Sequence, residues 1–335
     1  MSLDATAAEV SPIQPEDQKL SLEPSRRKFI WAIGGGKGGV GKSLISANIA
    51  ICLARTGYKV CAIDLDLGCA NLHTCLGVDI PELTLSDFFS KREPNIEKVL
   101  VPTEIRNLHL ISGAQDAIGV ANLKHTLKSR LLQELEALDA DFLVFDLGAG
   151  TSFNTLDFFL SADVGMLTLL PEPTSIENTY RFIKSAYYRK LKQSAALMDI
   201  RPMLDMAMDH KNPLEIKSPA DLLREVAKYD QDMANRLRFE IQSFKPKLIV
   251  NQVRTQSDID IGFSIRSICK RYFGIDLEYL GYLDYDSAVW QSVRRKRPLI
   301  LEFPTSKLAT HFTRMTNHLI SQMNPDSSKT QLGTY

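Results

Sequence analysis

The sequence has few cysteines, and none of them belongs to a recognisable metal-binding pair. Five cysteines are an odd number, and no two stand in a C-x-x-C spacing. This argues against a disulfide framework and against a zinc or iron–sulfur knuckle. We therefore expect core thiols in a reducing cytoplasm, at Cys52, Cys61, Cys69, Cys75 and Cys269.

A long apolar segment and a net charge are also missing. No apolar run approaches the length that crosses a bilayer, and the N-terminus lacks the basic-then-apolar order of a signal peptide. The 40 Lys and Arg residues balance the 40 Asp and Glu residues. Bulk charge therefore attracts neither nucleic acid nor anionic lipid, so that any such contact must come from a local patch. We expect a cytoplasmic protein.

The composition is that of a globular protein, with 44% hydrophobic residues in 335. Residues 1–27 are polar, contain three prolines and show no sustained period, which predicts a flexible leader. Residues 28–323 are predicted to form a single domain, and residues 324–335 a polar tail. The stretch Tyr187–Ser243 is longer than one crossover helix requires, and its amphipathic segments predict a helical insertion.

Short apolar runs alternate with segments of helical length along the chain. One helix, Lys42–Arg55, carries apolar residues at helical spacing and is followed by Gly57. Buried strands separated by helices predict an α/β fold, with a mostly parallel sheet covered by helices on both faces. The predicted strands are Lys28–Ile33, Lys59–Leu65, Leu108–Ser112, Asp141–Asp146, Val164–Leu170, Lys247–Val250 and Glu278–Leu283.

The strongest motif is a phosphate-binding loop between the first strand and the first helix. Its glycines let backbone N–H groups surround phosphate oxygens, and the helix N-terminus adds partial positive charge. In this pattern Lys42 reaches the outer phosphates and Ser43 ligates Mg²⁺. A chance glycine turn is the alternative, which the flanking strand and helix disfavour. The motif consists of Gly36, Lys37, Gly38, Gly39, Val40, Gly41, Lys42 and Ser43.

Lys37 is a second lysine within this loop. It cannot easily bind the same phosphates as Lys42. It therefore either faces solvent or reaches a nucleotide bound by another subunit. The loop is identified as the deviant Walker A motif of the MinD/ParA ATPases, in which the first lysine crosses a face-to-face dimer. The resemblance implies that Lys37 acts in this way and that ATP drives the formation of a homodimer.

Three acidic residues lie at the ends of predicted strands. Asp64 and Asp66 come at the end of the second strand, and Asp146 ends a buried strand before a glycine-rich loop, at the edge where open α/β sheets bind ligands. The resemblance implies that Asp66 orients the attacking water, that Asp64 supports the Mg²⁺ shell and that Asp146 is the Walker B acid. The alternative for each residue is an aspartate that only closes a strand or a turn.

Asn251 directly follows the strand Lys247–Val250. It matches the asparagine with which the family reads adenine through its side-chain amide. The implied ligands are therefore ATP and Mg²⁺. The resemblance extends from about Lys28 to Gln322 and is nearest the branch of MinD and FlhG (FleN).

The resemblance implies a dimerising ATPase switch that positions a flagellum, division site, chromosome or cargo, with a partner protein that stimulates hydrolysis. Two other classes stay open, because a fold alone does not fix a function. One is a different ATP-dependent enzyme, such as a ligase of cofactor synthesis. The other is a scaffold that binds nucleotide without hydrolysing it.

Two segments could contact a membrane or nucleic acid in the ATP state. Residues 307–323 place an apolar stripe on one helical face, which fits core packing better than an interfacial helix but permits both. The densest basic patch is Arg294–Arg297. A solvated helix end, nonspecific DNA, anionic lipid and an acidic partner remain alternatives for this patch.

Overall fold

The structure is a computed structural model that describes residues 27–68, 70–113, 123–208, 216 and 218–323. The predicted leader, residues 1–27, lies outside the described residues except for Arg27. The predicted tail, residues 324–335, lies wholly outside them, as does Cys69.

Eight strands form one sheet in the order β3-β4-β2-β5-β1-β6-β7-β8. Every neighbouring pair is parallel except β3 and β4, which pair antiparallel at one edge. This confirms the predicted mostly parallel sheet. The strands are β1 Phe29–Gly34, β2 Val60–Leu65, β3 Val101–Pro102, β4 Leu108–Ile111, β5 Phe142–Leu147, β6 Val164–Leu169, β7 Lys247–Val253 and β8 Glu278–Asp284.

Helices cover both faces of the sheet, as predicted. Three short helical turns supplement them at Ile96–Val99, Ala195–Ile200 and Cys269–Phe273. The α-helices are α1 Lys42–Arg55, α2 Leu72–Cys75, α3 Leu85–Phe89, α4 His125–Ala137, α5 Phe153–Leu160, α6 Pro173–Gln193, α7 Arg201–Met208, α8 Pro219–Tyr229, α9 Gln231–Ser243, α10 Gln256–Ile268, α11 Ser287–Arg294, α12 Leu299–Glu302 and α13 Lys307–Met323.

The side chains of the central strand alternate between two apolar cores. Trp31 and Ile33 pack with α1 and α13 on one face, whereas Ala32 packs with α4, α5 and α6 on the other. This alternation follows from the two-residue period of a strand. The central strands are buried on both faces, because each face is covered by its own layer of helices.

Most of the described residues in the predicted helical insertion, residues 187–243, lie in helices. Tyr187 and Tyr188 are buried within α6, which continues to Gln193. The additional helices α7, α8 and α9 therefore begin only after α6 ends. Helix α8 begins with a capping box, helix α9 begins with the N-cap Asp230, and α9 packs against α6.

The last helix, α13, packs into the core. Leu308, Phe312, Met315 and Leu319, which form its apolar stripe, are all buried against the α1 side of the sheet. This confirms core packing rather than an interfacial helix for residues 307–323. In the described part of the chain, no helix combines the length and apolarity needed to cross a bilayer.

Candidate nucleotide-binding site

The phosphate-binding loop leaves the carboxyl end of β1, the strand that lies between β5 and β6 in the sheet. Gly41, at the N-terminus of α1, adopts a left-handed φ of 94°. A side chain there would be strained, and its Cβ would lie 2.3 Å from Asn251 Nδ2. Only glycine fits this position, so that α1 can begin at Lys42 with its free N–H groups directed at the loop.

Gly36 also meets a close neighbour. A Cβ at Gly36 would lie 2.2 Å from the carbonyl oxygen of Asn178 in α6. The loop is therefore seated directly against α6, and any larger residue would push it away. The sequence motif alone gives no sign of this contact.

Asp64 and Asp146 lie directly opposite each other in the parallel pairing of β2 with β5. Both are buried, at 0% and 1% exposure. The hydroxyl of Ser46 donates to Asp146 Oδ1 at 3.0 Å, and the Ser43 hydroxyl also hydrogen-bonds Asp146. The site thus brings together the predicted metal ligands Ser43, Asp64 and Asp146.

Burial is the main cause of the raised pKa values of these two acids. It raises the pKa of Asp146 to about 6, against the hydrogen bonds from Ser43 and Ser46 and the charge of Lys42. Burial also raises the pKa of Asp64 well above its usual value, and the neighbouring Asp146 charge adds to this effect. Two carboxylates held together without solvent form a site that a cation stabilises.

The pair fits Mg²⁺ but not a metal held by protein ligands alone. Among the residues that the structure describes, no three His, Cys, Asp or Glu side chains are grouped as a metal cage. Mg²⁺ usually keeps several waters and binds through one or two carboxylates together with substrate phosphates. Ser43 would ligate the ion directly, and Asp64 and Asp146 would hold its waters.

Lys42 points along the inside of the loop and is buried. Its ammonium lies 3.5 Å from the carbonyl oxygen of Lys37. Burial lowers the pKa of Lys42, and the charges of Asp146, Asp66 and Asp64 oppose this shift. Lys42 is thus placed among acidic groups at the position where a phosphate-binding lysine is expected.

Lys37 points the other way. Its ammonium contacts Glu172 Oε2 and Thr174 Oγ1, both at 3.2 Å, at the start of α6. The side chains of Lys37 and Glu172 are 39% and 52% exposed. The two lysines of the loop therefore occupy different environments, and only Lys42 is enclosed by the acidic groups.

Asp66 lies beside the glycine loop that follows β5. A Cβ at Gly148 would be 3.3 Å from Asp66 Oδ1. Gly150 in turn donates its backbone N–H to the Gly35 carbonyl at 3.1 Å. The aspartate predicted to orient water is therefore next to the glycine-rich loop that follows β5, and this loop contacts the P-loop strand end at Gly35.

Asn251 is 5% exposed, and its amide supports the P-loop. Its Nδ2 donates to the Val40 carbonyl at 2.9 Å, and its Oδ1 accepts from the Gln252 N–H at 2.9 Å. One N–H and one lone pair remain, which is the complement of the adenine edge. Adenine recognition by Asn251 stays a prediction. The hydrogen bond from its amide to the Val40 carbonyl is a second, structural role that the sequence did not indicate.

Ser46 was not among the predicted site residues, and the contacts of Lys37 with Glu172 and Thr174 were not predicted. Ser46 stands one helical turn after Ser43, so the spacing could have indicated that both face the same acid. The contacts of Lys37 with Glu172 and Thr174 join residues more than 130 positions apart. No local pattern carries such a pairing.

Known proteins resemble this chain in sequence and in fold. Antiactivator FleN from Pseudomonas aeruginosa is 26% identical over 284 residues, which cover 84% of this chain and 83% of FleN. The flagellum site-determining protein YlxH from Helicobacter pylori is 35% identical over 159 residues, 47% of this chain and 53% of YlxH.

The septum site-determining protein MinD from Pyrococcus horikoshii, solved with Mg-ADP, has the same fold. Its TM-score is 0.61 at 21% identity, over 89% of this chain and 98% of that MinD. The family model of the CobQ/CobB/MinD/ParA nucleotide-binding domain matches residues 31–299. The chain therefore belongs to the MinD/ParA family of P-loop nucleotide-binding proteins.

Proposed function

We propose that this protein is a Mg²⁺-dependent ATPase that switches between a monomer and an ATP-bound homodimer in order to position a cellular structure. The observation that carries this proposal is the placement of Lys37. The loop already has an enclosed phosphate-binding lysine, Lys42, whereas Lys37 lies outside the acidic site in an exposed pair. Lys37 is therefore available to a nucleotide on a second subunit.

Each residue has a separate task in this proposal. Lys42 and the loop amides bind the phosphates of their own nucleotide, and Lys37 neutralises the γ-phosphate held by the other subunit. Asp66 orients the attacking water, and Gly148–Gly150 moves when the γ-phosphate leaves. Bound Mg²⁺ would neutralise charge on the outer phosphates.

The remaining amide capacity of Asn251 supports adenine as the base. Because this side chain also holds the Val40 carbonyl, base recognition and loop geometry are connected through one residue. MinD of Pyrococcus horikoshii, solved with Mg-ADP, supports a Mg²⁺-bound adenine nucleotide for this chain.

The names of the relatives support a role in placement. YlxH is named for determining the flagellum site and MinD for determining the septum site. We infer a cytoplasmic switch whose ATP-bound dimer engages a surface, and whose hydrolysis is accelerated by a partner protein. Imaging a fluorescent fusion beside an Asp66→Ala trap would identify the structure that is positioned.

Phosphate release with Mg-ATP tests the enzymatic part of the proposal directly. The wild-type protein should hydrolyse ATP to ADP and phosphate, and Asp66→Ala should not. Absence of turnover by the wild type, also with its partner present, would favour a nucleotide-gated scaffold. Consumption of ATP only together with a metabolite would instead indicate a ligase.

A further inference from the structure

The described chain enters the fold at the edge of the sheet opposite the nucleotide site. Strands β1, β6, β7 and β8 are parallel, so their amino ends lie along one edge, whereas the P-loop follows the carboxyl end of β1. Arg27, two residues before β1, pairs at 2.9 Å with Asp163, which directly precedes β6. The residues before Arg27 in the chain therefore join the fold at this amino-end edge.

Two neighbouring cavities extend along this edge from Asp163. The first has a volume of about 250 Å³ and is lined in part by Asp163 and Lys245. The second has a volume of about 620 Å³, and its basic lining residues are Lys245, Arg266, Lys270 and Arg271. Because Lys245 lines both cavities, they adjoin each other. We call the two cavities together the basic groove.

The basic groove has cations that no carboxylate neutralises. Lys245, Arg266 and Arg271 are exposed, and none of them forms an ion pair with a residue that the structure describes. The acidic residues that line the groove already have basic partners, which are Arg27 for Asp163, Lys270 for Asp276 and Lys247 for Glu278. The groove is therefore locally positive, although the whole chain has as many acidic as basic residues.

The part of the predicted leader that precedes Arg27 has the opposite charge. Residues 1–26 contain five acidic and two basic residues. An excess of carboxylates thus directly precedes a fold whose adjoining groove has an excess of cations, and opposite charges of this kind attract each other. The acidic residues are Asp4, Glu9, Glu16, Asp17 and Glu23, and the basic residues are Lys19 and Arg26.

We propose that the basic groove binds the acidic leader of the same chain. A single exposed ion pair contributes little, but several pairs formed by one segment act together. The leader is also covalently attached beside the groove, so that its effective concentration there is on the order of millimolar. A separate acidic protein lacks this advantage. Salt or a competing polyanion would release the leader, because the contact is electrostatic and exposed.

Distances along the chain indicate which residues can meet. β6 lies between β1 and β7, so that the starts of β1 and β7 are two strand spacings apart, about 10 Å. Glu23 stands four residues before Arg27, which allows a reach of about 13 Å in an extended chain, enough to contact Lys245. The adjacent Glu16 and Asp17 are further from Arg27 in sequence and can therefore reach the second cavity.

Zero-length cross-linking of the full chain tests the proposal. A carbodiimide joins a carboxylate to an amine only where the two are in contact, and Lys245 and Lys270 provide amines in the groove. At low ionic strength, mass spectrometry should find links from leader carboxylates to these two lysines. High salt should reduce the yield of these links about fivefold. Absence of the links at low ionic strength would overturn the proposal.

Mixing isotope-labelled with unlabelled chains shows whose leader is bound. The links should join residues of one chain, because the tether favours its own groove. Links mainly between labelled and unlabelled chains would contradict the proposal, since the occupant would then be the leader of a second copy. Absent links, together with binding of a DNA duplex that depends on Arg266 and Arg271, would instead assign the groove to nucleic acid.

Charge reversal in the groove provides a matched test. Arg266→Glu/Arg271→Glu keeps both lysines and every leader carboxylate, and it should lower the yield of the links about fivefold. Arg55→Glu/Arg106→Glu changes the net charge equally at two exposed arginines outside the groove and should cross-link like the wild type. Equal losses in both variants, or no loss in the groove variant, would refute the assignment.

Tryptic cleavage after Lys19 gives a second measurement without a cross-linker. The groove variant keeps the leader sequence, so that a changed rate reports how much of the leader is unbound. Cleavage should be about threefold to fivefold faster in Arg266→Glu/Arg271→Glu than in the wild type, and unchanged in the control variant. Equal rates in the wild type and the groove variant would count against leader binding.

The outcome is independent of the proposed switch, because the groove and the nucleotide site lie at opposite edges of the sheet. Cross-linking requires no nucleotide, and Arg266→Glu/Arg271→Glu should still form the ATP-dependent dimer. If the wild type dimerises with ATP but shows no leader links, only the leader contact is wrong. If the links form but ATP produces no dimer, the leader contact is supported and the switch is wrong.

Discussion

The ammonium of Lys37 lies 3.2 Å from the carboxylate of Glu172, and the side chains of both residues are partly exposed to solvent. Within the proposed switch, this pair holds Lys37 on its own subunit. It must open before Lys37 can reach the nucleotide of a second subunit. Glu172 and the partner's γ-phosphate therefore compete for one cation.

Replacing Glu172 should favour the dimer. Glu172→Gln removes the competing charge, and an exposed pair of this kind is worth about 0.2–1 kcal/mol. Because two such pairs open in each dimer, the ATP-dependent dimerisation constant should rise about twofold to thirtyfold. Analytical ultracentrifugation with Mg-ATP measures it. Glu177→Gln, which removes the exposed partner of Arg181 on the same helix, is the matched control and should change nothing.

The buried acid pair should make stability depend on pH. Burial raises the folded-state pKa of Asp146 from 3.8 to about 6. The folded protein thus binds this proton more readily than the unfolded chain. The resulting stabilisation of the folded state is fully present below pH 3.8 and is lost as the pH rises through about 6. Asp146→Asn should therefore unfold at a higher temperature than the wild type at pH 7.5 without Mg²⁺ or nucleotide.

Calorimetry at two pH values checks the cause of that difference. The increase in unfolding temperature that Asp146→Asn causes should shrink at pH 5, where the wild-type carboxyl is already protonated. Mg-ATP should stabilise the wild type by linkage and the variant far less. A stability difference that stays constant from pH 5 to pH 7.5 would show that the Asp146 charge is not its origin.

Asp157 fastens three helices together and should matter for stability rather than nucleotide binding. It accepts from Lys128 in α4 and from Arg189 and Gln193 in α6. Asp157→Ala would leave Lys128 buried without a partner and should cost about 3 kcal/mol. Denaturant unfolding measures this loss, and Glu177→Ala, at an exposed pair, should cost less than about 0.5 kcal/mol.

The effect of Asp157→Ala should also depend on pH. Burial alone would raise the pKa of Asp157, but hydrogen bonds from Arg189 and Lys128, together with their charges, hold it below its usual value. The contribution of the Asp157 carboxylate to folding stability is therefore present above its unfolded-state pKa and is lost as the pH falls through its lower folded-state pKa. The difference in unfolding free energy between Asp157→Ala and the wild type should therefore narrow as the pH falls from 7 to 3. An unchanged difference would point to lost packing instead.

The two predicted roles at the phosphates can be separated by titration. Lys42→Ala removes a direct phosphate contact and should abolish measurable ATP binding. Asp66→Ala removes only the group that positions water, so it should bind ATP as the wild type does and lose turnover. Isothermal titration calorimetry together with phosphate release distinguishes the two. Equal losses of affinity would contradict this division of roles.

The sequence predicted most of the fold because its signals are local. The β1–loop–α1 unit has a spaced glycine motif, and helix α1 begins and ends at the predicted residues, Lys42 and Arg55. Asp64 and Asp146 could be placed near each other because the carboxyl ends of parallel strands meet at one edge. The edge strand Val101–Pro102 was missed, since two residues show no period.

Contacts that depend on tertiary packing could not be predicted. The close approach of Gly36 to Asn178 and the pairing of Lys37 with Glu172 both depend on where α6 crosses the P-loop. A single sequence has no period or spacing that records these distances.

The central claim is that Lys37 completes the nucleotide site of a second subunit, and light scattering with ATP and ADP tests it most directly. The Asp66→Ala protein should be a dimer with Mg-ATP and a monomer with Mg-ADP, since ADP lacks the γ-phosphate that Lys37 neutralises. Adding Lys37→Ala should return it to a monomer, with ATP still bound through Lys42 and the loop amides. A double variant that remains dimeric with ATP would contradict the account, because Lys37 would then have no part in the switch.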